Sequence, residues 1–287
     1  ANAVNWQSVA FWAEQGIKRV ILARELSLSE ITEIRHRVPH VELEMFVHGA
    51  MCIAYSGRCL LSNYMTFRDA NRGECSHPCR YNYALVEEKR PGQYYPIEED
   101  ERGAYIMNSK DLCLFPHLKE IMDTGIHALK IEGRMKSVNY TATVTHAYRQ
   151  AIDAIAAGCV PEEALYRELF KINHREYTTA FLFGEPKGEA QAYLGSKSQA
   201  EAAFLGIVLG WDKERGLLVE QRGFFRRGQE VECISPGRGS PICFTVSSII
   251  DASSNLELDV ARHAQQHVYL PYPEQLPIYS ILRSKDN

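Results

Sequence analysis

Two hydrophobic periods alternate along the first half of the chain. Apolar residues recur at helical spacing in residues 5–16, 27–39, 114–125 and 137–158, and each segment ends at a glycine or a proline. Short runs with many β-branched or alternating residues stand before or between them: KRVILAR, VELEMFVHG, IMNSKDL and ALKIEGR. Strands that alternate with helices predict βαβ units and a parallel sheet.

The first 158 residues hold about four strands and four helices, roughly half of a (β/α)8 barrel. We therefore predict that residues 1–158 form the C-terminal half of a TIM-like barrel. The other half is expected in a preceding segment, with a partner chain as the alternative source. An open doubly wound sheet is a second alternative, although the chain has no GxGxxG or Walker motif to mark one.

The pattern changes inside and after this half barrel. Residues 50–104 show no sustained period and are rich in Cys, Arg, Asn, Gly and Tyr, which predicts a cysteine-rich insertion of functional importance. Residues 159–199 read as a connector with one helix. From residue 200 to 287, short alternating runs separated by turn residues predict a small β-barrel domain.

Composition and charge narrow the class of protein. The 287 residues are 45% hydrophobic and 24% charged, which is typical of a globular protein with a substantial core. No apolar run reaches membrane-spanning length and no signal peptide is evident, so we expect a cytoplasmic protein without a membrane partner. Eight cysteines in that compartment favour metal binding, catalysis or burial over disulfides. A net charge of −4 leaves room for local basic patches that bind nucleic acid.

The ends of the predicted strands carry the candidate catalytic residues. Alternation in ALKIEGR directs Lys130, Glu132 and Arg134 to the barrel interior, where unpaired charges are costly. Two interpretations stay open: a ladder of salt bridges, or a site for an anionic ligand with Arg134 as a bidentate clamp. VELEMFVHG likewise places Glu44 and His48 near the barrel mouth, with a structural core histidine as the alternative.

At the end of the run RVILAR, Arg24 and Glu25 occupy the equivalent place, with a structural ion pair as the alternative to a functional role. A second basic stretch lies in the predicted β domain, in QRGFFRRGQ and SPGRG. Aromatic side chains among arginines suit base stacking and phosphate contact, and a hairpin tip with a solvated face is the alternative. The candidate RNA-binding residues are Arg222, Phe224, Phe225, Arg226, Arg227 and Arg238.

Four cysteines of the insertion form the pattern C-x6-C-x15-C-x3-C, at Cys52, Cys59, Cys75 and Cys79. Four thiolates hold either Zn²⁺ or an iron–sulfur cluster. The pattern lacks the paired CxxC knuckles of structural zinc sites, and this favours a cluster. Cys113 is an alternate fourth ligand. The remaining thiols, Cys159, Cys233 and Cys243, are expected to be buried.

Long motifs connect the chain to a known family. EMFVHGAMCIAYSGRCLLSNY, RDANRGECSHPCRYNY, YIMNSKDLC and ALKIEGRMKS closely resemble the collagenase-like peptidase family of unassigned catalytic type, and within it the tRNA hydroxylation branch. The resemblance runs from residue 2 to about 158 and continues more weakly through the C-terminal region. It implies a (β/α)8-type catalytic domain with a 4Fe-4S cluster on Cys52, Cys59, Cys75 and Cys79.

The resemblance also implies an activity: oxygen-independent hydroxylation of the wobble uridine of tRNA to 5-hydroxyuridine, with prephenate as the hydroxyl donor. Prephenate carries two carboxylates, and cationic side chains are suitable partners for them. The candidates are Lys130, Arg134, Arg68, Arg72 and Arg80.

Other functions stay open beside this one. Other branches of the family hydroxylate ribosomal RNA or a ubiquinone precursor. The chain has neither HExxH nor GxSxG, which weakens a peptidase, although His48 and Cys52 lie close enough in sequence for a thiol peptidase. A non-catalytic scaffold that holds zinc is the last alternative.

Overall fold

The computed structural model describes residues 3–51, 59–80, 84–86, 89, 91–92, 94–96, 110–184 and 200–285. They fall into two compact units. The first comprises Ala1–Arg134 and His174–Ser198, and the second comprises Met135–Asn173 and Gln199–Asn287. The domain boundaries at residues 158 and 199 stay predictions. In the described part of the chain, no helix is both long and apolar enough to cross a membrane.

The first unit contains four helices and seven short strands among its described residues. In chain order they are α1 (Trp6–Glu14), β1 (Arg19–Ile21), α2 (Leu28–Arg37), β2 (Glu42–Ala50), α3 (Leu61–Thr66), β3 (Ala84–Val86), β4 (Tyr94–Pro96), β5 (Asp111–Cys113), α4 (Leu118–Asp123), β6 (Ala128–Ile131) and β7 (Tyr177–Thr178).

Strand β2 is the centre of the main sheet. Strands β1 and β6 run parallel to it on opposite sides, because Glu44 pairs with both Ile21 and Ala128. Strand β5 pairs with the end of β2 in the antiparallel sense, and β7 runs parallel to β5. The parallel prediction is therefore confirmed for β1, β2 and β6, and it is wrong for β5. Since β5 follows the cysteine-rich insertion, no short helical crossover forces it to run parallel.

Local sequence explains the elements of this unit. Ser27 caps α2 in a reciprocal capping box with Glu30, as the spacing S-x-x-E predicts. Along β2, Leu43, Met45 and Val47 are buried at every second position. This alternation places Glu44 and Phe46 on the opposite face, where the charged side chains of the neighbouring strands lie. The unit is a mixed α/β fold, and the (β/α)8 barrel stays a prediction.

The second unit joins two helices to a large antiparallel sheet. Its described elements are α5 (Val138–Ala156), α6 (Glu163–Glu168), β8 (Phe204–Asp212), β9 (Gly216–Gln221), β10 (Phe225–Arg226), β11 (Glu230–Ile234), β12 (Ile242–Thr245), β13 (Ile249–Asp251), β14 (Glu257–Leu258), β15 (Val260–Ala261), β16 (His267–Leu270) and β17 (Ile281–Ser284).

Eight of these strands form one sheet in the order β12-β11-β17-β8-β9-β16-β13-β14, and β10 pairs with β15. The sheet is a curled antiparallel half-barrel around an apolar core. The predicted C-terminal β domain is confirmed in this coarser form. Within the described residues the sheet does not close into the predicted barrel, because its end strands, β12 and β14, are short and do not pair with each other.

A buried ion cluster connects α6 to the sheet inside the second unit. The guanidinium of Arg283 is fully buried and donates to Glu168 Oε2 at 2.6 Å and to Glu232 Oε2 at 2.8 Å. Lys171 Nζ donates to the same Glu232 carboxylate at 3.0 Å. Two cations therefore face two carboxylates, so the charges balance where water cannot screen them.

Candidate functional site

Three chain segments converge where β1, β2 and β6 end. Arg24 follows β1, and its Nη2 donates to Glu132 Oε2 at 3.0 Å, just after β6. Its Nη1 donates to the carbonyl of Ala50 at the end of β2. The guanidinium also stacks 3.9 Å from the centroid of the Phe46 ring. Arg24 therefore connects all three strand ends, and its contacts include an ion pair with Glu132.

A glycine allows the backbones of two strands to approach at this edge. The N–H of Glu132 donates to the carbonyl of His48 at 2.9 Å. Gly49 has φ +126°, and a Cβ there would lie 2.6 Å from Glu132 Cβ and 2.8 Å from the Glu132 carbonyl oxygen. A side chain at position 49 would consequently push Glu132 away from Arg24.

Replacing Gly49 with alanine should lower the free energy of unfolding by about 1–3 kcal/mol, because a left-handed backbone and a steric clash add. Urea denaturation of the purified chain measures this. Gly16→Ala is the matched control, since Gly16 has φ +84° with nothing within 4 Å of a Cβ. Equal losses in the two variants would show that the contact with Glu132 contributes nothing.

The row of charges on β6 is largely neutralised within the sheet. Lys130 Nζ donates to Glu44 Oε1 at 3.0 Å, and Arg19 lies 3.7 Å from the same carboxylate. Lys130 Nζ is also 5.5 Å from the Phe46 ring centroid. These contacts favour the salt-bridge interpretation for Lys130 and Glu44. The ligand role predicted for both stays a prediction.

Arg134 connects this edge to the cysteine-rich insertion. Its Nη2 donates to the carbonyl of Cys75 at 2.9 Å, and its backbone N–H donates to Glu132 Oε1 at 3.4 Å. Glu132 is therefore bound by Arg24 through one oxygen and by Arg134 through the other. The insertion is anchored to the end of β6 by the residue that the sequence assigned to an anionic ligand.

Hydroxyl groups connect two parts of the described segment 59–80. The N–H of Ser76 donates to Ser62 Oγ at 3.0 Å, and Thr66 Oγ1 lies 2.8 Å from Ser76 Oγ. Ser62 is three residues after Cys59 and Ser76 directly follows Cys75, so these bonds bring two of the predicted ligand positions into one small fold. The N–H of His77 donates to Cys75 Sγ at 3.3 Å, a contact of the kind that stabilises a thiolate ligand.

The described thiols of the insertion suit a metal site in chemistry, and their set is incomplete. Cys59, Cys75 and Cys79 are partly buried, whereas Cys52 lies outside the described residues. Within the described ranges, no three His, Cys, Asp or Glu side chains converge as a metal site. Cys113, the alternate ligand, is buried in β5 beside His48. The ligand set stays a prediction.

The remaining cysteines only partly follow expectation. Cys233 is fully buried, as predicted, and burial raises the pKa of its thiol to about 11. Cys159 and Cys243 are exposed, so their predicted burial is wrong. Cys159 comes directly after the glycine that ends α5, and Cys243 lies on the outer face of the end strand β12.

Two of the three candidate arginines of the insertion have described side chains. Arg68 is exposed, and Arg72 is exposed and 3.6 Å from Asp69. The side chain of Arg80 lies outside the described residues. Their predicted role in binding a carboxylated donor stays a prediction.

Sequence reasoning missed a buried polar cluster around His48. His48 is fully buried, which favours the core-histidine alternative, and its ring centroid is 5.3 Å from that of Tyr177. Tyr177 stacks on His174 at 4.3 Å. The buried Asp111 accepts the N–H of Arg175 at 3.2 Å. The polar and aromatic stretch INHREY, in the predicted connector, could have indicated this cluster.

The predicted RNA-binding patch of the second unit is only partly accessible. Phe225 is fully buried, so the prediction that its ring stacks on bases is wrong; the pleat of β10 turns it inward and Arg226 outward. Phe224 is exposed. Three of the arginines face carboxylates: Arg222 lies beside Glu220, Arg227 beside Glu257 and Arg238 beside Glu274. These pairs reduce the positive potential available to phosphates.

The arrangement is that of an α/β protein whose thiol-bearing segment is anchored at the carboxyl edge of a parallel sheet core. The chain belongs to peptidase family U32. The model of that family matches residues 1–192, and the model of its C-terminal domain matches residues 200–283. The family resemblance read from the cysteine and ALKIEGR motifs is thereby confirmed.

Named relatives are longer than this chain. The chain is 42% identical over 268 residues to tRNA hydroxylation protein P1 of Bacillus subtilis, covering 92% of this chain and 63% of that protein. It is 38% identical over 323 residues to tRNA hydroxylation protein P of Escherichia coli, covering 98% of this chain and 71% of that protein. The chain thus spans about two thirds of the length of these relatives.

Two further relatives carry different names. A 23S rRNA 5-hydroxycytidine C2501 synthase of Escherichia coli is 38% identical over 213 residues, covering 71% of this chain and 30% of that protein. A collagenase of Porphyromonas gingivalis is 32% identical over 235 residues, covering 77% of this chain and 56% of that protein. The family therefore includes members named for RNA hydroxylation and members named for proteolysis.

Proposed function

We propose that this chain is the core of an iron–sulfur enzyme that hydroxylates RNA, with the wobble uridine of tRNA as its target and 5-hydroxyuridine as the product. Relatives named for tRNA hydroxylation cover almost the whole chain, which supports this substrate class. The observation that carries the proposal is the bond from Arg134 to the Cys75 carbonyl, because it fixes the thiol-bearing segment at the carboxyl edge of the sheet, where α/β proteins bind their ligands.

The cofactor in this proposal is a 4Fe-4S cluster on Cys52, Cys59, Cys75 and Cys79, with zinc as the alternative metal. When bound, such a cluster supplies one-electron chemistry or a Lewis-acidic iron. The chain contributes the hydrogen bond from His77 N–H to Cys75 Sγ. It also contributes the hydrogen bond from Ser76 N–H to Ser62 Oγ, which connects the chain next to Cys75 with helix α3.

Prephenate is the proposed hydroxyl donor, and its two carboxylates need cationic partners. Arg134 has one Nη on the Cys75 carbonyl and an exposed side chain, so it still suits a carboxylate. Lys130 is less suited, since Glu44 already balances its charge. Arg68, Arg72 and Arg80 complete the candidate set.

Arg134→Ala should lower RNA hydroxylation by roughly 10- to 100-fold, because loss of the anchor lets Cys75 move relative to the sheet edge. Arg134→Lys should recover part of this activity, since an ammonium reaches the same carbonyl with fewer donors. Mass spectrometry of tRNA nucleosides from complemented cells gives the readout. Arg149→Ala, which removes an exposed arginine paired with Asp153 on α5, is the control and should change nothing. Full activity in Arg134→Ala would show that the bond from Arg134 to the Cys75 carbonyl is not needed for hydroxylation.

The function itself is tested by nucleoside analysis of tRNA and ribosomal RNA from cells that lack the gene and any paralogue. We expect 5-hydroxyuridine derivatives to disappear from tRNA and to return with the intact gene. A deficit confined to 5-hydroxycytidine in ribosomal RNA would move the assignment to that substrate. Undiminished hydroxylation of both RNAs, together with thiol-dependent cleavage of a peptide panel, would replace the proposal with a peptidase.

A further inference from the structure

Helix α3 and the residues that flank it present large apolar side chains to solvent. Leu60 is 80% exposed, Tyr64 is 84% exposed and Phe67 is 91% exposed. Three such side chains within eight residues are unusual, because apolar groups of this size normally gain from burial. The same short stretch continues into Arg68 and Arg72, which are also exposed.

Phe67 combines an exposed ring with an uncommon backbone conformation. Phe67 has φ +56° and ψ +26°, a left-handed conformation that bulky residues rarely adopt. Its N–H donates to the Asn63 carbonyl at 2.8 Å, and Asn63 in turn donates from Nδ2 to Asp69 at 2.5 Å. This conformation is unfavourable for a bulky side chain, and the ring gains almost no packing in return. Strain of this kind is concentrated at binding sites.

We propose that Leu60, Tyr64, Phe67, Arg68 and Arg72, here named the α3 aromatic surface, bind unpaired nucleotides of the RNA substrate. This inference rests on the proposed function and names the contact surface of that site. Aromatic rings stack on exposed bases and arginines contact phosphates, which is how single-stranded RNA is held by proteins.

Position and charge favour RNA over another occupant. The surface begins one residue after Cys59, and α3 is bonded through Ser62 to the residue that follows Cys75. A base stacked there lies on the same folded segment as the proposed cluster ligands. Arg68 forms no ion pair with the residues that the structure describes, whereas Arg72 lies 3.6 Å from Asp69. The arginines of the second unit face Glu220, Glu257 and Glu274.

The experiment measures binding of the anaerobically purified full chain to a hairpin RNA with an unpaired loop that contains uridine, and to a duplex of the same stem. Fluorescence anisotropy is recorded across a salt series. Tyr64→Ala with Phe67→Ala should weaken hairpin binding by roughly 10- to 100-fold and leave duplex binding unchanged. Arg68→Gln should reduce the dependence of log affinity on log salt by about 0.7.

A matched control is available in the second unit. Tyr279 is 69% exposed and has φ +67°, so Tyr279→Ala removes an exposed aromatic ring from the same backbone conformation. We expect its hairpin affinity to stay within twofold of the unaltered chain. Equal thermal unfolding of all variants shows that the chain keeps its global fold.

Three results would overturn the inference: no RNA binding by the unaltered chain, unchanged hairpin affinity in the double variant, or a dimer that dissociates in the double variant while RNA binding persists. The last result would assign the surface to a second copy of the chain. If cells lacking the gene lose 5-hydroxyuridine and the double variant still binds the hairpin normally, only this inference fails. If binding depends on the surface and no hydroxylated nucleoside is lost, only the proposed reaction fails.

Discussion

Replacing Arg283 with methionine should lower the free energy of unfolding by about 3–5 kcal/mol, the cost of leaving buried carboxylates without their partner. The guanidinium is fully buried and bonds both Glu168 and Glu232. Methionine has a similar length and no charge, so Lys171 alone would face two carboxylates. Urea denaturation at neutral pH measures the loss.

The pH dependence of stability gives this prediction a second readout. Burial raises the pKa of Glu232, but hydrogen bonds from Arg283 and Lys171 outweigh it and hold the pKa below its ordinary value. The contribution of Glu232 to stability is therefore present above the ordinary carboxyl pKa and is lost as the pH falls through the lowered one. In Arg283→Met the hydrogen bonds from Arg283 are gone, so burial raises the pKa of Glu232 relative to its value in the unaltered chain. The stability that is lost as the pH falls should therefore be smaller in this variant.

Arg167→Met is the control for the buried cluster. Arg167 forms an exposed pair with Glu163 on α6, and water screens such a pair so that it contributes little to stability. We expect its unfolding curve to overlie that of the unaltered chain. A similar small effect in Arg283→Met would mean that the cluster does not hold α6 to the sheet.

Replacing Cys75 with alanine should abolish RNA hydroxylation in complemented cells, with a loss of at least about 100-fold. The proposed cluster needs a thiolate at each ligand position, and alanine offers none. Exposed Cys159 provides the matched control, because Cys159→Ala removes a thiol from outside the insertion. Normal hydroxylation in Cys75→Ala would remove this residue from the site.

The identity of the fourth ligand follows from the same assay. Cys79 lies four residues after Cys75 in the insertion, whereas Cys113 is buried in β5 beside His48. We expect Cys79→Ala to behave like Cys75→Ala and Cys113→Ala to retain hydroxylation. Retained hydroxylation in Cys79→Ala, together with its loss in Cys113→Ala, would make Cys113 the fourth ligand.

Local features of the fold could be predicted from sequence because they depend on neighbouring residues. The capping box of Ser27 and Glu30 is written in four consecutive residues, and the alternation of Leu43, Met45 and Val47 needs only the pleat of one strand. The charged residues at the strand ends were found for the same reason.

Features that depend on distant residues could not be predicted. The pairing of Arg24 with Glu132 joins residues 108 positions apart, and the reverse direction of β5 depends on how the insertion leads the chain back to β2. Phe224 and Phe225 are identical in type, and only the placement of β10 decides which ring is buried. Sequence pattern alone carries no information on these contacts.

The central claim is that the cysteine-rich insertion holds an iron–sulfur cluster at the edge of the sheet. It is tested most directly by counting metal and acid-labile sulfide in the chain after anaerobic purification. We expect about four irons and four sulfides per chain, with broad absorption at roughly 400 nm that disappears in Cys75→Ala. A colourless protein with one tightly bound zinc and no labile sulfide would contradict it.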